Sequence, residues 1–260
     1  MYLVWTDVFS HPLWAVSTVI LGLILRSQRR GSWDPRACLV QLKGKTAIVT
    51  GANTGIGKFI ALDFALRGAR VIMACRSEAR GSVALHEIRK RSGNADVHLR
   101  LVNTSSLASV RAFAEGVLRE EKELHILVNN AGASGLPRDI TSDGLEVSFA
   151  TNHVGPFLLT NLLLGVTANS VHPGLVMTEI MRHYNFMVRF LFNMIGIFFF
   201  KSSEEGAVST IYCAVAMEME GITGKYFDSD CSLGLPAPLA RDPTLAVKVF
   251  EFCERLTSKF

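Results

Sequence analysis

Three short clusters in this 260-residue chain carry residue types suited to gripping a phosphorylated ligand. Thr50-Gly51-Ala52-Asn53-Thr54-Gly55-Ile56-Gly57 follows an apolar run, and its Gly-x-x-x-Gly-x-Gly spacing suits a sharp turn from a strand into a helix. Backbone N–H groups at such a helix start are free, and with the helix dipole they favour an anion. A side chain at Gly51, Gly55 or Gly57 would obstruct the turn, the approach of a pyrophosphate or the packing of helix on strand. Asn53, Thr54 and Ile56 complete that loop. Asn129-Asn130-Ala131-Gly132 follows a second apolar run, and His172-Pro173-Gly174, with Thr178 shortly after, follows a third. At the end of the next strand after the glycine loop, a protein selecting NAD places an acid on the ribose 2′-hydroxyl. Here stand Ala74, Cys75 and Arg76. A guanidinium without the acid favours a 2′-phosphate, hence NADP(H); the alternative is a solvated surface arginine.

These clusters need an alternating framework to bring them together, and the hydrophobic spacing supplies one. Strands are expected at Lys45 to Thr50, Arg70 to Cys75, Val97 to Val102 and Leu124 to Val128. Helices are expected at Ile56 to Arg67, Glu78 to Arg91 and Ser106 to Leu118, the first two closed by Gly68 and Gly93. Such alternation implies a Rossmann-type, doubly wound parallel sheet with right-handed crossovers. Downstream the pattern gives one long helix from Asp143 to Leu164, stopped by Gly165, and a strand from Thr167 to Val171. A helix from Ser203 to Met219 follows, with Ser202 and Glu205 at capping-box spacing, then a short strand from Lys225 to Asp228 and a final helix opened by Asp242-Pro243.

Bulk composition narrows the setting. A hydrophobic fraction of 49% and a mean hydropathy of +0.28 leave room for contact with lipid. The net charge of +4 is small and scattered, which gives nucleic-acid binding no support. Five cysteines without a Cys-x-x-Cys pair point to a reducing compartment and to no metal site. Val8 to Leu25 is an 18-residue run free of Asp, Glu, Lys and Arg, followed at once by Arg26, Arg29 and Arg30. That order suits an uncleaved membrane anchor (1–26) with the rest of the chain cytosolic, rather than a cleaved signal peptide. An interfacial helix or hairpin is the alternative. Residues 27–43 are then a linker, and 44–260 the folded domain.

Taken together, the Thr50–Gly57 loop, Ala74-Cys75-Arg76, Asn129 to Gly132, Asn152 within Thr151-Asn152-His153-Val154-Gly155-Pro156-Phe157, and His172-Pro173-Gly174 with Thr178 resemble the short-chain dehydrogenase/reductase family, in its membrane-anchored retinol dehydrogenase branch. The resemblance runs from about Lys43 to the C-terminus. It implies hydride transfer between NADP(H) and a lipophilic, retinoid-like alcohol or aldehyde, at an endoplasmic reticulum membrane with the domain facing the cytosol. It implies that Asn130, Ala131 and Gly132 line the cofactor riboses, that Asn152 holds a proton-relay water, and that Pro173 to Thr178 lie over the nicotinamide carboxamide. Asn103 stands where the family commonly has an aspartate accepting from adenine. Asn103-Thr104-Ser105 is also a glycosylation sequon, which a cytosolic domain would never have modified. Phe186 to Phe200 would be a flap over the lipophilic substrate, or else a buried or membrane-dipping helix.

One piece of the family pattern is absent. The family's general acid/base is a tyrosine with a lysine four residues later on the same helix face, and a serine on the preceding strand orients the substrate. No tyrosine of this chain has that lysine: Tyr2, Tyr184, Tyr212 and Tyr226 are followed at that spacing by Thr6, Val188, Ala216 and Asp230. Leu164-Gly165-Val166-Thr167 joins the helix of Asn152 directly to the strand before Pro173, so a strand, loop and helix, on the order of 50 residues, are expected to be missing. The strand from Thr167 to Val171 is then expected to pair with Leu124 to Val128, giving a sheet shortened by one strand. Asn152 is the remaining member of the catalytic set. The reading is a family oxidoreductase impaired in catalysis. A non-catalytic, membrane-tethered protein that binds NADP, or pairs with itself or with family relatives as a homo- or heterodimer, stands beside it, as does an unstable truncated isoform.

Overall fold

The computed structural model describes residues 16, 17, 20, 22, 33–163 and 167–258. Its first half alternates as the spacing requires. β1 (Thr46–Thr50), α1 (Gly55–Leu66), β2 (Arg70–Cys75), α2 (Glu78–Ser92), β3 (Val97–Leu101), α3 (Leu107–Glu120) and β4 (Ile126–Val128) build a parallel sheet of order β3-β2-β1-β4. Ile48 is level with both Ile72 and Leu127, so the ladder runs in register across the centre. Alternate residues of β1 and β2 feed opposite cores. Val49, Val71 and Met73 pack with Ile60, Phe64 and Ile211, while Ile48 and Ile72 pack with Val110, Phe113 and Leu159. Full burial of each large apolar side chain contributes about 1.5–3 kcal/mol, which makes this two-sided core the main anchor of the sheet. Local signals agree with it. Ser77 and Ser106 accept from the N–H of Arg80 and Ser109 at the starts of α2 and α3, and Gly68 and Gly93 take the left-handed φ of +82° and +68° that ends α1 and α2.

The second half departs from expectation twice. The long helix begins at Val147, not Asp143. The Glu146 carboxylate caps the N–H groups of Ser148 and Phe149, and Asp143-Gly144 forms a turn, with Gly144 at φ +74° and a bridge between Ile140 and Glu146. From there α4 (Val147–Phe149) passes through a π-helical turn (Ala150–Val154) into α5 (Gly155–Leu162). Secondly, the strand after the join is short and does not move over to β4. β5 (Ser170–Val171) pairs in parallel with β6 (Tyr226–Phe227), which pairs with β7 (Leu233–Gly234) in a separate three-stranded sheet. Its attachments explain why. Ser170 and His172 donate to the carbonyls of Lys225 and Phe227 at 2.9 and 2.8 Å, and the Asn169 side chain bonds both Ile222 and Lys225. β5 is held by the chain that follows it, and the sheet is divided rather than closed. The join itself, residues 164–166, lies outside the described residues.

A 3₁₀ turn (Glu179–His183), α6 (Phe186–Phe199), α7 (Ser203–Val215) and the C-terminal α8 (Pro243–Ser258) complete the chain. α7 carries the full capping box of Ser202 and Glu205. The expected anchor, Val8 to Leu25, falls largely outside the described residues, among which no helix is long and apolar enough to cross a membrane. The described part of the expected linker lies against the domain. The buried Arg67 pairs with Asp63 at 2.6 Å and donates to the carbonyls of Pro35, Cys38 and Val40. Trp33 packs edge-on against Tyr212, their ring centres 5.4 Å apart.

Candidate functional site

The site grows from the end of β1. Thr50 is buried, and its hydroxyl accepts from the N–H groups of Asn130 and Ala131 at 3.0 and 2.9 Å, tying the loop after β4 to the loop after β1. The Asn130 amide donates back to the Thr50 carbonyl at 2.9 Å. Gly51, at φ +67°, leaves no room for a side chain, because a Cβ there would lie 2.9 Å from the Ala131 Cα. At Gly57 a Cβ would lie 2.3 Å from the Asn130 amide nitrogen and 2.7 Å from the Gly51 carbonyl. The glycines thus let two loops and a helix start share one small space.

That helix start is open. Thr54, the N-cap of α1, makes no capping bond, and the first turn holds no acid. Its leading N–H groups face a cleft of about 200 Å³. Gly51, Asn53, Thr54, Gly55 and Ile56 line one end of it, Arg76 and Asn103 another, and Asn130, Ala131, Gly132 and Thr178 a third. Sequence reasoning named all of these, although they come from five separate stretches of chain. The Asn103 side-chain oxygen is engaged by the N–H and hydroxyl of Ser105 at 3.2 and 2.9 Å.

Four expected residues do not line the cleft. Gly57 packs behind it. Asn152, in the π-helical turn, clasps the backbone of Ala133 with two 2.8 Å bonds, accepting from its N–H and donating to its carbonyl. Its visible role is to hold the loop after β4. Pro173 and Gly174 lie outside, Gly174 at φ +84° beside Ser229 and Lys201.

The structure adds residues that spacing did not reveal. Arg80, one helical turn beyond Arg76, and Arg182, from the 3₁₀ turn, join Arg76 at the cleft. Burial and the neighbouring guanidiniums of Arg80 and Arg76 push Arg182 below the usual arginine range, so its cation is crowded and an anion there is welcome. Glu179 pairs with Arg80 and approaches Arg182 at 3.9 Å. The pair Arg76/Arg80, at helical spacing just past the second strand, was the available sequence signal; Arg182 gave none, because only the fold brings it near.

An open helix N-terminus, glycines where a Cβ would collide and three arginines thus share one cleft. The family profile described as "short chain dehydrogenase" matches residues 45–165. Human retinol dehydrogenase 11 is 35% identical over 274 positions, using 82% of this chain and 85% of its own. The chain belongs to the short-chain dehydrogenase family. Human retinol dehydrogenase 14 is similar at 33% identity over 93% of both chains. Among solved structures, L-sorbose reductase from Gluconobacter frateurii, complexed with NADPH and L-sorbose, matches 76% of this chain and 99% of its own with a TM-score of 0.60 and 19% identity. An actinorhodin polyketide ketoreductase with NADPH matches 71% and 95% with a TM-score of 0.56 and 21% identity. These structural likenesses show the fold.

The cleft also bears on proton exchange through its lining. Among the described residues it is lined by no tyrosine and no lysine. Lys58 is paired with Glu87, and Lys201 donates to the Ser229 carbonyl at 2.5 Å. Tyr184 meets the Ser134 hydroxyl at 2.9 Å but is itself exposed, with its ring against Gly135.

Proposed function

We propose that this chain binds NADP(H) in the β1–α1 cleft and has lost the capacity for efficient hydride-transfer catalysis on the retinoid-like alcohols or aldehydes suggested by its relatives. The single observation that carries this is a phosphate cradle left intact beside a cleft without a tyrosine or lysine. A second observation supports it. The alignment with human retinol dehydrogenase 11 spans 274 positions but draws on 82% of a 260-residue chain, so roughly a fifth of those positions have no counterpart here. Bound nicotinamide would supply or accept hydride. The chain's own residues bind phosphates through the α1 N–H groups, select the 2′-phosphate through Arg76, Arg80 and Arg182, and hold the Asn130–Ala133 loop through Asn152. No side chain among them is placed to exchange a proton with a substrate oxygen, and such proton transfer contributes about 10²–10⁴-fold. The family setting and the Val8–Leu25 run support a location at an endoplasmic reticulum membrane in this reading, with pairing to itself or to full-length relatives as the surviving function.

Purified protein titrated with NADPH, and assayed separately for NADPH-dependent retinal reduction, tests the reading. Saturable binding without turnover above background is expected; turnover at a rate typical of the family would overturn it. The Ser134–Tyr184 pair offers an alternative acid/base couple, and Tyr184→Phe should leave any residual rate unchanged. A severalfold drop would instead make that pair catalytic.

A further inference from the structure

α6 is built inside out. Its Phe186, Met187, Phe190, Leu191, Met194 and Ile195 all turn away from the domain, with Phe186 and Met187 exposed at 76% and 70%. These positions repeat at the three- and four-residue spacing that marks one helical face, which in a water-soluble domain points to the core. The body is met on another side, where a Cβ at Gly196 would lie 2.1 Å from the Met177 sulfur and where Phe192 packs on Phe200 with ring centres 4.8 Å apart. Arg189 and Asn193 lie between the two faces, and the helix contains no acid. Its N-terminal end is fixed by Asn185 accepting from the Val188 N–H and by Tyr184 on Ser134, and past its other end Lys201 donates to the carbonyls of Leu175 and Ser229. A contiguous apolar face of this kind on a fixed helix marks an interaction surface.

The occupant follows from where the chain enters the domain. Arg36 bonds Glu204 at 3.0 Å, in the first turn of α7 and five residues beyond the end of α6. Trp33 rests on Tyr212 of the same helix. The last described residues after the apolar Val8–Leu25 run are therefore docked beside the root of α6. A bilayer reached by the one lies next to the other. With 14 residues α6 is roughly 21 Å long, too short to span a hydrocarbon core of about 30 Å. We propose that α6 lies in the plane of the membrane interface as a second contact, its Phe, Met, Leu and Ile side chains among the acyl chains and Arg189 at the headgroups. The proposal rests on the membrane location in the functional reading above, not on NADP(H) binding. Two attachments would hold the domain in one orientation, with α6 at the lipid surface.

The full chain is reconstituted in phosphatidylcholine/phosphatidylserine vesicles carrying a phosphatidylcholine with a diazirine in its acyl chain, then irradiated, digested and read by mass spectrometry. Label on the peptide covering residues 186–199 should exceed that on the exposed α2 peptide, residues 78–92, by ~tenfold or more. Leu191→Asp with Ile195→Asp should cut α6 labelling severalfold and leave labelling of the first 30 residues unchanged. Label on α6 without label on residues 8–25 would remove the expected anchor and keep this contact. Label on residues 8–25 with α6 no brighter than α2 would overturn it, as would photoadducts between α6 and a second polypeptide in place of lipid.

Discussion

Two helices of this protein begin in opposite ways. α7 opens with a closed capping box, Ser202 and Glu205 satisfying each other's backbone, and with Glu204 and Glu205 set against the dipole. α1 opens with an N-cap whose side chain makes no capping bond and a first turn without an acid. The first helix is complete by itself; the second is complete only when something else supplies the negative charge. The difference divides the molecule. The half around α1 is an in-register parallel sheet with glycines wherever two loops must meet, while the half around α7 holds a short, separate sheet and a helix with its apolar face outward. The first half is one continuous sheet with a core on each face, and the second is assembled from short elements.

The largest effect should come from closing the space at α1. Gly57→Val puts carbon within 2.3 Å of the Asn130 amide and 2.7 Å of the Gly51 carbonyl. It should weaken NADPH binding by ~100-fold or more in a fluorescence titration, with a loss of about 1–3 kcal/mol in denaturant unfolding. Unaltered affinity would mean that the cradle is not where the cofactor sits. Next, Arg76→Ala with Arg80→Ala removes charge at the 2′-phosphate; the loss of one hydrogen bond to a charged group, about 1.5–3 kcal/mol, would lower NADPH affinity roughly 10- to 100-fold and NADH affinity hardly at all. Equal losses for both would refute 2′-phosphate selection. On the other side of the comparison, Ser202→Ala should destabilise the fold by about 1 kcal/mol and leave NADPH affinity alone. A change in affinity there would show that the halves are coupled.

The smallest effect is a pH dependence confined to the first half. Glu121 is bonded by Arg70 at 2.8 Å and Arg100 at 2.7 Å, and the Arg70 guanidinium holds its carboxyl below the usual range. A carboxyl depressed by folding stabilises the native state above its unfolded pKa of about 4.3, and that contribution disappears as pH falls through the folded value. Glu121→Gln should therefore flatten the loss of stability below about pH 4 in acid titrations of unfolding. An unchanged slope would place the acid sensitivity elsewhere.

The first half was legible because its signals are local and agree. β2 has its expected bounds of Arg70 and Cys75, and Gly68 and Gly93 stop their helices in the expected left-handed conformation. The cleft residues from Gly51 to Ile56 and from Asn130 to Gly132 could be named because a strand end feeding a helix start is a sequence-level event. Downstream, competing signals decided. Helical spacing hides the Asp143-Gly144 turn, and the Glu146 cap wins the helix start. β7 has two residues, too few for any periodicity to register, and the strand expected from Thr167 to Val171 shrinks to Ser170–Val171. Where β5 would pair was beyond reach, because the deciding ties to Ile222, Lys225 and Phe227 lie more than 50 residues away in sequence. Arg182 meets Arg76 for the same kind of reason.

Because β4 and β5 share no rungs, the two halves are fastened by side chains: by α8, whose Phe250 meets Phe157 and whose Thr257 carbonyl accepts from Arg111, and by the seam between α1 and α7. Gly206 lets that seam close: a methyl there would sit 2.7 Å from Val176 and 3.3 Å from Ile56. Strain applied to the tail of the protein therefore has no ladder along which to pass into the first half; it travels through packed side chains, Ile211 of α7 among them, which belong to that half's own core.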